Sequence, residues 1–257
     1  MDLLVRSFTT AIPGILVGTV VTVVASFFGI ILAMVFAIPT AFARLSKVTL
    51  IRSIATFYVE TIRGTPLLLQ LLVWFYGARF LLFFLFNLNL DTQFFNLLTA
   101  FNSNNLNDPI TRATGGVSGL LFAIFGLSFN YGAYLAEVIR GGIQAVPPGQ
   151  LEAAESLGLS RLQTARHIVL PQALRIMIPP LTNNFITLIQ DTAFFLVLGV
   201  TELSLTTQSS AVGTSNIPVR WEFYIIELVI YFILCYGLAL VSRSTERRQA
   251  HMALGAQ

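Results

Sequence analysis

Thiols, imidazoles and charge are all scarce in this chain. One cysteine, Cys235, stands among 257 residues, so an internal disulfide is excluded and a cysteine metal cluster is not expected. The two histidines, His167 and His251, have no zinc-ligand neighbourhood, and no Ser-His-Asp or Cys-His set is suggested; on this reading there are no catalytic and no metal residues. No Gly-x-x-x-x-Gly-Lys-Ser/Thr run occurs, so the chain lacks a phosphate loop, and no cofactor is expected in it. Charged residues make up 11%, against about a quarter in soluble domains, and a formal net charge of +3 is too small to argue for nucleic acid.

What fills the space is apolar: 55% hydrophobic residues, 22 of them Phe. Runs of about 20 such residues are the length of a membrane-crossing helix, which predicts an all-α integral membrane protein, a single domain over 1–257. Five transmembrane helices are expected, at about 13–43, 54–86, 117–139, 173–200 and 223–242. The second is interrupted at Arg63-Gly64-Thr65-Pro66, and the fourth is expected to break at Pro179-Pro180. The start, MDLLVRSFTTAIPG, lacks a small-residue cleavage site and reads as the lead into an uncleaved first span.

Orientation follows from the positive residues. Arg44, Lys47 and Arg52 follow the first span, and Arg243, Arg247 and Arg248 follow the last, which puts these ends in the cytoplasm and the N-terminus outside. The stretches 87–116 and 201–220 are poor in positive charge and are expected outside, the first as a solvated loop, a small cap or a contact for a partner.

One long segment is polar, charged and capped: about 146–171, reading GQLEAAESLGLSRLQTARHIVLP from Gly149. Leu151 to Leu157 favours helix, Gly158 sits where a left-handed terminator belongs, Ser160 with Gln163 fits a capping box, and Pro171 marks a break or kink. Glu152-Ala153-Ala154, then Gly158, then Ile168-x-Leu170-Pro171, resembles the EAA loop of permease subunits of ABC importers. FYVETIRGTPLLLQ, LSFNYGAYLAEVIRGGIQAVPPGQLEAA and GVTELSLTTQ resemble the polar-amino-acid branch of that family, which includes histidine, glutamine and arginine permeases.

The resemblance implies an importer subunit of the bacterial cytoplasmic (inner) membrane, working by alternating access, whose ATP and Mg are held by partner ATP-binding cassette ATPase subunits. It also implies a second permease subunit, identical or related, an extracytoplasmic substrate-binding protein, an amino-acid ligand and surrounding membrane lipid. Glu152, Ala153, Ala154, Gly158 and Arg161 would then couple to the ATPase. The family commonly shows Lys-Asp-Thr-Ser in the fourth span, where this chain has Gln190-Asp191-Thr192-Ala193.

Polar residues inside spans supply the candidate substrate path: Asn130, Tyr131, Asn183, Asn184, Gln190, Asp191 and Thr192. A carboxylate at mid-membrane costs about 2.5–3.5 kcal/mol on insertion scales, so Asp191 should face a cavity or a partner. Arg79 either meets a carboxylate or snorkels. A Glu-x-Ile-Arg-Gly echo, Glu60 to Gly64 and Glu137 to Gly141, has two readings: an inner gate made of Glu60, Arg63, Glu137 and Arg140, or ordinary ion pairs at i, i+3. The competing function is an ATP-independent carrier or channel, which would have no need of the polar loop.

Overall fold

The structure is a computed structural model describing residues 2–86, 117–213 and 217–254, and every regular element among them is helical. Helix α1, Asp2–Leu45, has 44 residues, roughly 65 Å at the usual rise and more than a bilayer requires. After a short turn, α2 spans Thr49–Arg63. Its buried residues Ala55, Val59 and Ile62 recur at helical spacing.

The interruption at Gly64 to Pro66 appears where the sequence places it, and Gln70 Nε2 closes it by donating to Thr65 O and Oγ1 at 3.0 and 2.7 Å. Beyond it run α3, Leu67–Leu72, a π turn, Val73–Gly77, and α4, Ala78–Phe86. Trp74 of the π turn packs edge-on against Phe125 and Phe129, both centroids at 4.9 Å.

Helix α5, Val117–Gln144, leads to α6, Pro148–Ser156, and the short α7, Arg161–Thr164. A second π turn, Ala165–Val169, opens directly into α8, Leu170–Asp191, then a 3-10 segment, Thr192–Leu198. Helices α9, Leu203–Gly213, and α10, Ile217–Leu254, complete the described chain.

The expected break at Pro179-Pro180 is corrected: α8 runs unbroken through both prolines. Membrane helices tolerate proline where surrounding groups make up for the lost backbone bonds. The carbonyls that lose their helical donor are those of Arg175 and Ile176, and further along the same helix Thr182 Oγ1 donates to Ile178 O at 2.9 Å and Asn184 Nδ2 to Pro180 O at 2.8 Å. At Pro171, where a break or kink is expected, the helix continues, and the π turn just before it, closed by Leu170 N–H to Ala165 O, takes up the distortion.

By length and composition, 9–45, 119–144, 161–198 and 220–240 could each cross a membrane, and Leu67–Gly77 is a shorter apolar helix within the second expected span. Large apolar side chains are exposed along these stretches, among them Phe27, Phe28 and Val35 on α1 and Trp221, Leu228 and Phe232 on α10. Only 6% of the 220–240 window is buried, as befits a helix whose solvent is lipid.

Packing divides the chain into two units. The first comprises 1–32, 65–129 and 187–235, with a core cluster of Ile15, Leu203, Ala211 and Phe223. The second comprises 33–64, 130–186 and 236–257. In it Ala33, Ala37 and Ala41, fully buried at every fourth position, let α1 approach its neighbours closely. The loop 87–116 lies outside the described residues, as does the side chain of Arg79.

Candidate functional site

The polar hairpin forms much as its residues dictate. Gly158 has φ of +72°, and Leu159 N–H bonds back to Ala154 O at 3.1 Å. That is the glycine-terminated helix end, favourable to glycine because an L side chain strains in this region. Ser160 N–H donates to Gln163 Oε1 at 2.8 Å and Gln163 N–H to Ser160 Oγ at 3.3 Å, completing the capping box.

Glu152, Ala153, Gly158 and Arg161 are exposed, whereas Ala154 is buried against the block itself. Two exposed leucines, Leu157 at 80% and Leu162 at 79%, flank the turn. Sequence reading passed over both, because leucine in a helix is ordinarily a core residue.

The hairpin is tied to α5 and α8 within the second unit. Gln172 Nε2 donates to Gln150 Oε1 at 3.1 Å. Gly142 of α5 sits so close to α8 that a Cβ there would collide with the Met177 side chain and come 3.3 Å from Ala173 O.

At the end of α1, Arg44 pairs with two carboxylates: Nη1 is 2.6 Å from Glu137 Oε1, and Nη2 is 3.6 Å from Glu60 Oε1. Nη1 is buried and makes no aligned hydrogen bond, so the shorter contact is an ion pair governed by distance rather than direction. Arg140 holds the other side of Glu137, Nη2 to Oε2 at 2.8 Å and Nε to Oε1 at 3.1 Å. Of the two i, i+3 pairs in the Glu-x-Ile-Arg-Gly echo, Glu137 with Arg140 is therefore present. Glu60 instead takes Arg44, and the Arg63 guanidinium lies 5.5 Å from the Tyr134 ring centroid. In the sequence Arg44 stands out only as a topological charge, because nothing local points to Glu137.

The path candidates fall into two groups. In the second unit, Asn130 and Tyr131 are buried at 4% and 3% exposure in this chain, while Asn183 is exposed and Asn184 is half-buried on its bond to Pro180 O. In the first unit, Gln190 is exposed, Asp191 half-buried, and Thr192 buried with Oγ1 donating to Ile189 O at 2.7 Å. Between Met177 and Asp191 the exposed residues of α8 are Asn183, Thr187 and Gln190, spaced by four and three and therefore on one helical face. Every member of that face is polar, which lipid would not accept. Thr187 is its one member the sequence reading did not single out. Among the described residues no cluster of His, Cys, Asp or Glu could hold a metal.

The described residues thus form a helical chain with several apolar spans, a capped polar hairpin and a polar face on one span. The profile of the family described as "binding-protein-dependent transport system inner membrane component" matches residues 25–251, and the chain belongs to that family. It is similar to the L-cystine transport system permease protein TcyB of Bacillus subtilis (strain 168), 38% identical over 96% of this chain and 90% of that protein. Against the glutamine transport system permease protein GlnP of Escherichia coli (strain K12), identity is 33% over 93% of this chain and 94% of that one. A solved structure, an amino acid ABC transporter with histidines, superposes with a TM-score of 0.73 at 30% identity, covering 95% of this chain and 97% of that chain.

Proposed function

We propose that this chain is the membrane permease subunit of an ATP-driven ABC importer for polar or charged L-amino acids. The observation that carries the reading is the family match over 25–251, which contains both the docking hairpin and the polar face of α8. The relatives named above are permease proteins of L-cystine and glutamine transport systems, which supports an amino-acid ligand.

In this reading the chain crosses the bacterial cytoplasmic membrane five times, N-terminus outside and C-terminus inside. It pairs with a second permease subunit, binds two ATPase subunits that hold ATP and Mg, and receives ligand from an extracytoplasmic binding protein. Glu152, Ala153, Ala154, Gly158 and Arg161 form the coupling surface, with Leu157 and Leu162 as its apolar anchors. Closure of the ATPases pushes the hairpin, and the Gln150 to Gln172 bond together with the Gly142 to Met177 contact supports transmission of that push to α8 and α5. Glu60, Arg63, Glu137 and Arg140 form the inner gate, with Arg44 as its central cation.

Ligand passes along the face bearing Asn183, Thr187 and Gln190, beside Asp191. Asp191 suits an α-ammonium group, and the amides suit a carboxylate or polar side chain. With glutamine at position 190 instead of lysine, this face offers no cation, which favours zwitterionic and cationic ligands over dicarboxylic ones.

The test is uptake into proteoliposomes holding the full complex, with binding protein and a panel including L-cystine, L-glutamine, L-arginine and L-glutamate. ATP-dependent uptake of the neutral or basic ligands, weakened by Asp191→Asn, is expected. Uptake that proceeds without ATP would replace this reading with the carrier.

A further inference from the structure

Among the described residues, Glu202 is an acidic side chain with 0% exposure, buried just after Gly199 turns the chain with φ of +70°. It heads α9: Oε1 accepts from Ser204 N–H at 2.8 Å and Leu205 N–H at 3.0 Å. A cap alone does not require this residue, since Ser, Asn or Asp at the surface would serve as well. Burying a carboxyl is expensive unless its remaining lone pairs find donors.

Those donors come from two other helices. Oε2 accepts from Thr22 Oγ1 of α1 at 3.1 Å and from Tyr231 OH of α10 at 3.2 Å. Thr22 Oγ1 in turn accepts from Leu203 N–H at 3.2 Å. One turn earlier on α1, Gly18 has no room for a side chain: a Cβ would lie 2.8 Å from Glu202 O and 2.6 Å from Thr206 Oγ1. Helix α1 is thus shaped to clasp this turn.

The Tyr231 hydroxyl is the branch point. It lies 3.3 Å from Ser204 Oγ, and 3.5 Å from Thr192 Oγ1, a packing contact because the Thr192 proton goes to Ile189 O and the Tyr231 proton to Glu202. Thr192 follows directly on Gln190 of the ligand face and Asp191 beside it, and the chain from there to Glu202 is the 3-10 segment, Thr192–Leu198, and the turn 199–201. One carboxyl therefore joins α1, α9 and α10 and, through Tyr231, the end of α8.

We infer that Glu202 is a positioning residue of the transport cycle: through Tyr231 and Thr192 it sets where Gln190 and Asp191 lie, and it does so in a protonation-dependent way. The inference rests on the importer reading above. An ionised Glu202 accepts from Thr22 and Tyr231 together; once protonated, it must use one oxygen as a donor, and the clasp rearranges. Glu202 falls between the candidate spans, and burial pushes its carboxyl up to about 7 against the opposing pull of its hydrogen bonds. The titratable groups near it are Tyr231 and, across Ser204, Glu227, both on α10, while α1 presents the neutral Gly18 and Thr22.

The experiment measures ligand-stimulated ATPase activity of the reconstituted complex between pH 6 and 8.5, for native chain, Glu202→Gln, Glu202→Asp and Tyr231→Phe. Native activity should change across neutral pH. Glu202→Gln should flatten that profile and raise the half-saturating ligand concentration on the order of fivefold, with a smaller effect on maximal rate. Glu202→Asp should restore the pH dependence in part, which a purely structural role would not. Tyr231→Phe keeps the carboxyl and its cap but cuts the link to Thr192, so it should raise half-saturation too, and it decides the matter if Glu202→Gln fails to assemble. A native pH profile and native half-saturation in Tyr231→Phe, or in an assembled Glu202→Gln, would overturn the inference while leaving the importer reading intact. Absence of ligand stimulation in the native complex would overturn both.

Discussion

Arg44 Nη1 lies 2.6 Å from Glu137 Oε1, joining residues 93 positions apart, one in the last turn of α1 and the other about two turns before the end of α5. Both side chains are largely covered, 13% and 17% exposed. Covered charges interact strongly but are costly to leave alone. Arg44→Ala should lower stability by about 1–3 kcal/mol, because Glu137 keeps Arg140 but loses a charged partner. Glu60 is 65% exposed, and Glu60→Gln should cost no more than about 1 kcal/mol, the range of surface pairs. Thermal unfolding of both variants in detergent checks the order, and equal losses would contradict it.

A second prediction concerns how a push on the hairpin travels. Gly142→Val places side-chain atoms where Met177 already stands, and overpacking of this kind costs about 1–3 kcal/mol. Met177→Ala should recover much of the loss. The double-variant cycle, read by unfolding temperature and by ATP-driven uptake, should show strong positive coupling; additive losses would mean that α5 and α8 do not depend on this contact.

A third follows from Glu202 and concerns stability alone. Its carboxyl ionises near 4.5 when exposed and near 7 in the fold, so between these values the folded chain binds more protons than the unfolded one. Stability should therefore fall as pH rises from about 4.5 to about 7, and then level off as far as this group is concerned. Unfolding of native chain and Glu202→Gln across that range tests the sign: the native slope should be the more negative, and parallel slopes would remove Glu202 as its source.

Local chemistry was legible in the sequence where it depends on neighbours along the chain. Gly158 and the Ser160 to Gln163 box act within a few residues, and both formed as their spacing predicts. The Gly64 to Pro66 interruption did as well. Pro179 and Pro180 misled because the rule that proline ends helices comes from water, where a broken helix can be solvated, whereas α8 runs on through both.

Relationships across the chain were not legible. Nothing near Arg44 names Glu137, and Glu202, in a stretch of Thr, Ser and Gln, reads as solvated until Thr22 and Tyr231 are seen to converge on it. The polar face of α8 was visible as residue types, but Thr187 joins it only once its exposure alongside Asn183 and Gln190 is seen.

The central claim is that the hairpin around Gly158 converts ATP hydrolysis into movement of this chain. The most direct measurement is the ATPase rate of the reconstituted complex with and without liganded binding protein, native against Gly158→Asp. At φ of +72° an aspartate is tolerated only with strain and brings a charge between Leu157 and Leu162. The account predicts that ligand stimulates the native complex several-fold and that Gly158→Asp abolishes this stimulation while the complex still assembles. Equal stimulation in both would contradict it.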